Sequence, residues 1–109
     1  IYACGDAAEY NGIVYGIWPV CREQAKICAA NILGEKQEYK GSVMSTKLKV
    51  AGIDLASAGR IEEEPGDDVE VSRREGMYKK IIRKDGRPEG VIMLGDTSEY
   101  NKLTKEIKG

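Results

Sequence analysis

The sequence predicts an α+β fold, in which a strand, a loop and a helix precede a small, mainly antiparallel sheet with a C-terminal helix. Three patterns indicate this fold. A short apolar run over residues 1–4 stops at Gly5-Asp6, which suits the end of a buried parallel strand. Apolar side chains recur at helical spacing over residues 18–33. After Gly34, alternating segments are separated by turn residues, as in an antiparallel sheet.

Length and charge limit the classes of protein to which this chain can belong. Its 109 residues allow one compact domain and a remnant of a second. Seventeen basic and eighteen acidic residues give a net charge of -1, so we expect no general attraction to nucleic acid. No apolar run approaches the roughly 20 residues that cross a bilayer, and no signal-peptide pattern is present. We therefore expect neither a nucleic-acid nor a membrane partner.

Three cysteines at irregular spacing and the absence of histidine exclude several kinds of site. Cys4, Cys21 and Cys28 form no C-x-x-C pair, which argues against a zinc ribbon and against a secreted disulfide framework. We expect reduced core thiols and a cytoplasmic location. Without histidine, Ser-His and Cys-His dyads and most metal sites are excluded. The sequence thus predicts no metal site and no catalytic residue of its own.

The helix over residues 18–33 has recognisable ends. Pro19 suits the first helical position and Gly34 suits the residue just past the end. Small and apolar residues share one face at helical spacing: Cys21, Ala25, Cys28, Ala29 and Ile32. Such a face allows close packing on a sheet or on a flat ligand.

The second half of the chain predicts strands joined by tight turns. Strands are expected on both sides of Ala51-Gly52 and of Asp85-Gly86, the second of which is a strong hairpin signal. The unbroken apolar run over residues 91–94 predicts a central strand buried on both faces. Asp96-Thr97 is expected to cap a final helix over residues 98–108, with Tyr100, Leu103 and Ile107 on its inner side.

The segment Ile1-Tyr2-Ala3-Cys4-Gly5-Asp6-Ala7-Ala8-Glu9 resembles the second FAD-binding motif of the pyridine nucleotide-disulfide oxidoreductase superfamily. In that motif, glycine allows close approach to the cofactor. Asp6, at the carboxyl end of the strand, can accept a hydrogen bond from a ribityl hydroxyl. The resemblance implies Gly5, Asp6 and Trp18 as FAD-binding residues, with Trp18 beside the isoalloxazine and the helix N-terminus directed at the flavin.

Further matches follow in order along the chain: Trp18-Pro19, Gln24-Ala25, residues 31–34, residues 39–42 and residues 45–55. They are similar to the branch that holds NADH:rubredoxin oxidoreductases and the reductase part of NADH-dependent nitrite reductases. The resemblance implies that residues 1–38 end an FAD-binding domain and residues 39–109 form the C-terminal rubredoxin-oxidoreductase domain. It also implies electron transfer from NAD(P)H through FAD to a small redox protein such as rubredoxin, or to a nitrite reductase centre.

The Gly-rich turn that binds the FAD pyrophosphate is absent. We therefore expect this chain, which starts with Ile, to be the inactive C-terminal piece of a larger flavoprotein and to hold no FAD alone. Its partners would be the rest of that flavoprotein and, for the isolated chain, a second copy in a homodimer through residues 1–33. The alternative is a stand-alone module that docks a redox partner or dimerises without flavin.

Each candidate site residue also has a simpler interpretation. Asp6 could cap a turn, and Trp18 could close the entry to the helix. Glu9 could contact the flavin or lie in a solvated loop. The remaining charged candidates are possible docking residues for a redox partner, or ordinary solvated side chains: Lys47, Lys49, Glu62, Glu63 and Glu64.

Overall fold

The computed structural model describes all 109 residues and divides them into two units, residues 1–42 and residues 43–109. The first unit holds a short 3₁₀ turn at Gly5–Ala7 and helix α1 at Trp18–Ile32. The second holds five strands and helix α2: β1 Ser45–Val50, β2 Ile53–Gly59, β3 Asp68–Arg74, β4 Met77–Lys84, β5 Arg87–Leu94 and α2 Tyr100–Lys108. The predicted α+β class is confirmed, with a helix followed by an antiparallel sheet and a C-terminal helix. Neither helix has the length and apolar character that crossing a bilayer requires.

Helix α1 begins and ends at the predicted signals. Pro19 occupies the first turn, where its missing N–H leaves no hydrogen bond unmade. Gly34 follows the C-cap with a φ of 90°, the left-handed conformation that ends many helices. The predicted face of small residues is exposed in this chain at Ala25, Ala29 and Ile32, while the buried helical residues are Val20 and Gln24.

The strand predicted at residues 1–4 is not formed. The backbone at Cys4 is extended, with φ -147° and ψ 164°, but the segment belongs to no ladder. A parallel strand exists only through hydrogen bonds to its neighbours, and this chain supplies none for these residues. The apolar side chains of Ile1 and Tyr2 are accordingly exposed.

A tyrosine cluster completes the first unit. The ring of Tyr39 packs edge-on against Tyr10 and Tyr15, with centroid distances of 4.9 and 6.4 Å. The Tyr15 hydroxyl accepts the Ser42 N–H at 3.1 Å, and the Ser42 hydroxyl donates to Glu23 on α1 at 2.6 Å. Burial raises the pKa of Tyr15. These contacts place residues 39–42 in the first unit, shortly beyond the predicted boundary at residue 38.

The second unit is a fully antiparallel sheet in the order β1-β2-β5-β4-β3. Of its three tight hairpins, two form at the predicted turn residues. Ala51 and Gly52 turn between β1 and β2, and Asp85 and Gly86 turn between β4 and β5, all four with positive φ. This backbone matches the twist of the paired strands.

The core of the second unit lies between one sheet face and α2. It contains Ala56, Ala58, Ile81, Val91, Met93, Tyr100 and Leu103, with Ile107 packed against it. Strand β5 is central, as predicted, but within residues 91–94 only one face is fully buried: Val91 and Met93 are buried, while Ile92 and Leu94 are half-buried. The prediction of burial on both faces was wrong because α2, the only helix of this unit, covers a single face.

The acidic loop before β3 is anchored within the second unit. Arg60 donates two hydrogen bonds to the Asp67 carboxylate, at 2.7 and 3.0 Å, and this guanidinium lowers the pKa of Asp67 to about 2. Glu63 pairs with Lys80 at 2.6 Å. The run over residues 62–64 therefore makes local ion pairs rather than being wholly solvated.

Helix α2 starts at Tyr100, two residues later than predicted. The Asp96 carboxylate accepts the Ser98 N–H at 2.9 Å, and this bond lowers the pKa of Asp96. Asp96 thus organises the turn that leads into the helix instead of capping the helix itself. The inward face is as predicted, with Tyr100 and Leu103 buried.

Candidate functional site

The candidate site is the Gly5-Asp6 turn of the first unit. Gly5 has a φ of 72°, a left-handed conformation that glycine adopts without steric penalty. A Cβ at this position would lie 3.4 Å from the Cys21 sulfur on α1. The turn therefore requires glycine for its conformation and leaves little free space on its helix side.

Asp6 lies on the exposed side of this turn. Its carboxylate oxygen Oδ1 accepts the Cys21 thiol at a donor–acceptor distance of 3.6 Å. Partial burial and the neighbouring carboxylate raise the pKa of Cys21, which keeps the thiol protonated and able to donate. The Asp6 side chain remains accessible, so this carboxylate can accept further hydrogen bonds from hydroxyl groups of a ligand.

Gln24 is the buried polar residue of this region, with 6% of its surface exposed. Its side-chain oxygen Oε1 accepts the Gly5 N–H at 2.7 Å. Gln24 lies in a segment that resembles the related branch, but the resemblance implies no role for it in the site. The sequence does indicate that Gln24 faces inward, because it stands four residues after Val20 and therefore lies on the same helix face.

Trp18 opens α1 one turn before Cys21. Its side chain is 74% exposed, so in this chain it does not close the helix entry as a core residue. The three predicted site residues thus lie on two connected elements: Gly5 and Asp6 on the turn, and Trp18 at the start of the helix that contacts the turn. A large exposed aromatic side chain can pack against a flat ring.

A second thiol contact joins α1 to the N-terminal segment. The Cys28 thiol donates to the carbonyl of Ala3 at 3.5 Å. Partial burial and the neighbouring Cys4 side chain raise the pKa of Cys28. All three cysteines are free thiols. Cys21 and Cys28 act here as weak donors at partly exposed positions, and none of the three cysteines belongs to a buried core.

The other charged candidates lie outside this turn. Glu9 is exposed in the loop before α1. Lys47 lies over the Tyr100 ring, 5.5 Å from its centroid, and Lys49 is exposed on the same strand. No group of three or more ligating side chains is placed to hold a metal ion. What the site offers a ligand is the accessible Asp6 carboxylate, which can accept hydrogen bonds from hydroxyl groups.

Comparison with known proteins shows that this chain is similar to parts of larger oxidoreductases. The family model described as the rubredoxin NAD+ reductase C-terminal domain matches residues 45–109. Nitrite reductase [NAD(P)H] of Bacillus subtilis is 41% identical over 111 residues, covering 99% of this chain and 14% of that protein. NADH-rubredoxin oxidoreductase of Clostridium acetobutylicum is 35% identical over 107 residues, covering 98% of this chain and 28% of that protein.

The fold is shared with a solved structure. The crystal structure of NADH:rubredoxin oxidoreductase from Clostridium acetobutylicum superimposes with a TM-score of 0.69 at 33% identity, over 98% of this chain and 28% of that one. This chain therefore spans well under a third of the relatives named here. The predicted resemblance is confirmed by a family model that covers more than half of the chain. The chain belongs to the rubredoxin NAD+ reductase C-terminal domain family.

Proposed function

We propose that this chain is the C-terminal part of an FAD-dependent NAD(P)H oxidoreductase located in the cytoplasm. In this proposal, residues 1–38 end the FAD-binding domain, and residues 39–109 form the C-terminal domain on the side of the electron acceptor. Electrons would pass from NADH through FAD to a small redox protein such as rubredoxin, or to a nitrite reductase centre. Two relatives are named nitrite reductase [NAD(P)H] and NADH-rubredoxin oxidoreductase, which supports this electron path. This chain corresponds to 14% and 28% of their lengths.

The observation that carries the proposal is the Gly5-Asp6 turn held against α1. The left-handed glycine, the accessible carboxylate of Asp6 and the exposed ring of Trp18 suit the ribityl and flavin portion of FAD. FAD, when bound, accepts two electrons from NAD(P)H and passes them to an acceptor. The residues of this chain would bind and orient the cofactor: Asp6 would accept a ribityl hydroxyl, and Trp18 would cover one part of the ring.

The remaining part of the FAD site must come from elsewhere. No Gly-x-Gly-x-x-Gly turn is present to bind the pyrophosphate. The first unit also buries few side chains: Tyr15, Val20 and Gln24. Apolar residues on its surface include Ile1, Trp18 and Leu33. Both features support a role as one portion of a larger flavin-binding domain.

Replacement of Asp6 tests the proposed site in the full-length flavoprotein. We expect Asp6→Ala to weaken FAD binding roughly 10- to 100-fold, because a charge-assisted hydrogen bond to the ribityl chain is lost. Flavin content and the FAD dissociation constant, measured by fluorescence quenching, report the effect. NADH oxidation with an added acceptor should fall in proportion to the bound flavin.

Two controls accompany this measurement. Glu38→Ala removes another exposed carboxylate of the same unit and should leave flavin binding unchanged. The 109-residue chain by itself should be colourless after purification, since it lacks the pyrophosphate site. Unchanged flavin affinity in Asp6→Ala would reduce Asp6 to a turn residue, and stoichiometric FAD on the isolated chain would contradict the division of the site.

A second candidate role, self-association of the isolated chain, is favoured by the exposed apolar surface of its first unit. Ile32 and Leu33 at the end of α1 are 67% and 81% exposed, and Trp18 at its start is 74% exposed. Exposed apolar surface of this kind draws chains together. We expect a two-fold homodimer through residues 1–33 at micromolar concentration, detected by sedimentation velocity.

A matched pair of variants locates the contact. Ile32→Lys places a charge on the predicted interface and should shift the chain to monomer. Val50→Lys alters a comparably exposed residue of β1, 61% exposed, and should leave the dimer intact. A monomeric wild-type chain, or equal dissociation by the two variants, would contradict the interface.

A further inference from the structure

Gln24 is an unusual choice for the inner side of α1. The helix buries only Val20 and Gln24, and a buried amide is unfavourable unless its polar atoms find partners. An apolar side chain of similar length, such as methionine, would fill the same space without that penalty. The amide must therefore be explained by the hydrogen bond that it makes.

That hydrogen bond ends on the candidate site. The Gly5 N–H belongs to the first residue of the 3₁₀ turn, so it has no acceptor within the turn itself. Cys4, which precedes the turn, provides no side-chain cap. Gln24 supplies the acceptor from 19 positions along the chain, at a short distance of 2.7 Å. This bond fixes the backbone of the turn to the helix.

A second contact from the same helix face reaches the neighbouring residue. Cys21 precedes Gln24 by three positions and therefore lies beside it on α1. Its thiol donates to the Asp6 carboxylate at 3.6 Å. Helix α1 thus holds two adjacent points of the turn, the Gly5 N–H through Gln24 and the Asp6 carboxylate through Cys21.

We propose that Gln24 is the positioning residue that sets the Gly5-Asp6 turn for flavin binding. This inference rests on the proposed function, because Asp6 is the group that would contact the ribityl chain. Gln24 does not contact the cofactor. It holds the backbone from which Asp6 projects, so that the carboxylate is in place before the ligand arrives, which lowers the entropic penalty of binding.

The test compares two isosteric replacements in the full-length flavoprotein, with FAD as the probe. Gln24→Met removes the acceptor, and we expect FAD to bind about ten-fold more weakly. Gln24→Glu retains an oxygen acceptor at the same position and should recover most of that affinity. Asn31→Leu removes an amide of α1 that bonds to the Gln37 carbonyl instead, and it should leave FAD affinity unchanged.

A double-mutant cycle separates positioning from a general structural effect. If Gln24 acts through Asp6, Gln24→Met should change FAD affinity by less than about two-fold in the Asp6→Ala background. A purely structural contribution would give the same loss in both backgrounds. Equal losses, or equal weakness of the methionine and glutamate variants, would overturn the inference.

The outcomes also separate this inference from the proposed function. A full-length wild type that binds no flavin would overturn both. A wild type that binds flavin, with an unaffected Gln24→Met variant, would overturn the inference alone. Should Gln24→Met fail to fold, Gln24→Glu still decides, since a ten-fold weaker affinity in that variant would contradict the role of the acceptor.

Discussion

Replacement of Gly90 by alanine is expected to unfold the second unit, residues 43–109. Gly90 lies in the central strand β5, paired with Gly59 on one side and Ile82 on the other. A Cβ at this position would lie 1.6 Å from the backbone carbonyl oxygen of Arg60 and 2.6 Å from its carbonyl carbon. Two backbone segments cannot separate here without breaking the ladder.

The expected loss is large relative to the stability of a unit of this size. Inserting an extra methyl group into a packed core typically costs about 1–3 kcal/mol and occasionally more, and a Cβ 1.6 Å from a backbone oxygen places this replacement at the severe end of that range. A unit of this length has a free energy of unfolding of roughly 3–10 kcal/mol. Gly90→Ala should therefore leave the second unit largely unfolded at room temperature. The only tryptophan, Trp18, lies in the first unit, so its fluorescence does not report on the second unit. Urea unfolding should therefore be followed by far-UV circular dichroism.

Gly86→Ala is the matched control. Gly86 lies in the turn just before β5 and has a φ of 76°. A Cβ there would meet nothing within 4 Å. Its replacement should cost only about 1 kcal/mol, from the left-handed backbone. A Gly90→Ala chain no less stable than Gly86→Ala would show that the approach of Arg60 is not rigid.

The elements that the sequence predicted well are those whose signals are local. Asp85-Gly86 determines a turn by its own backbone preference, and Pro19 with Gly34 determines the ends of α1. The alternating strands on either side of these turns then pair with their sequence neighbours, as in β1 with β2 and β4 with β5. Such contacts need no knowledge of the rest of the fold.

Predictions that depended on distant neighbours were less successful. The apolar run at residues 1–4 indicated a strand, but a strand needs partners, and these residues have none in this chain. Ile92 and Leu94 indicated a doubly covered strand, but α2 covers one face. In both cases the residue pattern indicates that apolar surface is available for burial. Whether that surface is buried depends on a neighbouring strand or helix that the local pattern does not specify.

The candidate site shows the same distinction. Gly5 and Asp6 were predicted as site residues because a glycine followed by a carboxylate is a local motif, and their role in flavin binding stays a prediction. The hydrogen bond of Gln24 to Gly5 was not predicted because the two residues lie 19 positions apart, and helical periodicity treats a polar residue on an inner face as an exception. A buried glutamine that shares a helix face with Val20 is the signal that could have identified it.

Cleavage of the chain between residues 42 and 43 is expected to give two pieces with opposite behaviour. Residues 43–109 should fold alone, because they contain a five-stranded sheet with local hairpins and a continuous core that includes Val91, Met93 and Leu103. Residues 1–42 should not fold alone. Domains near 40 residues rarely bury enough surface without a disulfide or a metal, and the three cysteines here are free.

Helix α1 cannot compensate for this deficit. It spans 15 residues, which is marginal for an isolated helix in water at about 12–15 residues. Its hydrogen bonds to the N-terminal segment and the turn consist of one short bond from the Gly5 N–H and weak thiol contacts, from Cys28 to Ala3 and from Cys21 to Asp6. Separately expressed, residues 1–42 should show poorly dispersed amide resonances and no cooperative thermal transition, while residues 43–109 should show both dispersion and a sigmoidal unfolding curve.

The result bears directly on how the flavin site is assembled. If residues 1–42 are unfolded alone, the Gly5-Asp6 turn reaches its final geometry only when further protein covers Ile1, Trp18 and Leu33. Folding of this segment would then be coupled to its contacts with the rest of the flavoprotein, since a partner that binds only the folded form stabilises it. A dispersed, cooperatively unfolding piece of residues 1–42 would contradict this coupling and would show that the turn and α1 are a preformed half of the site.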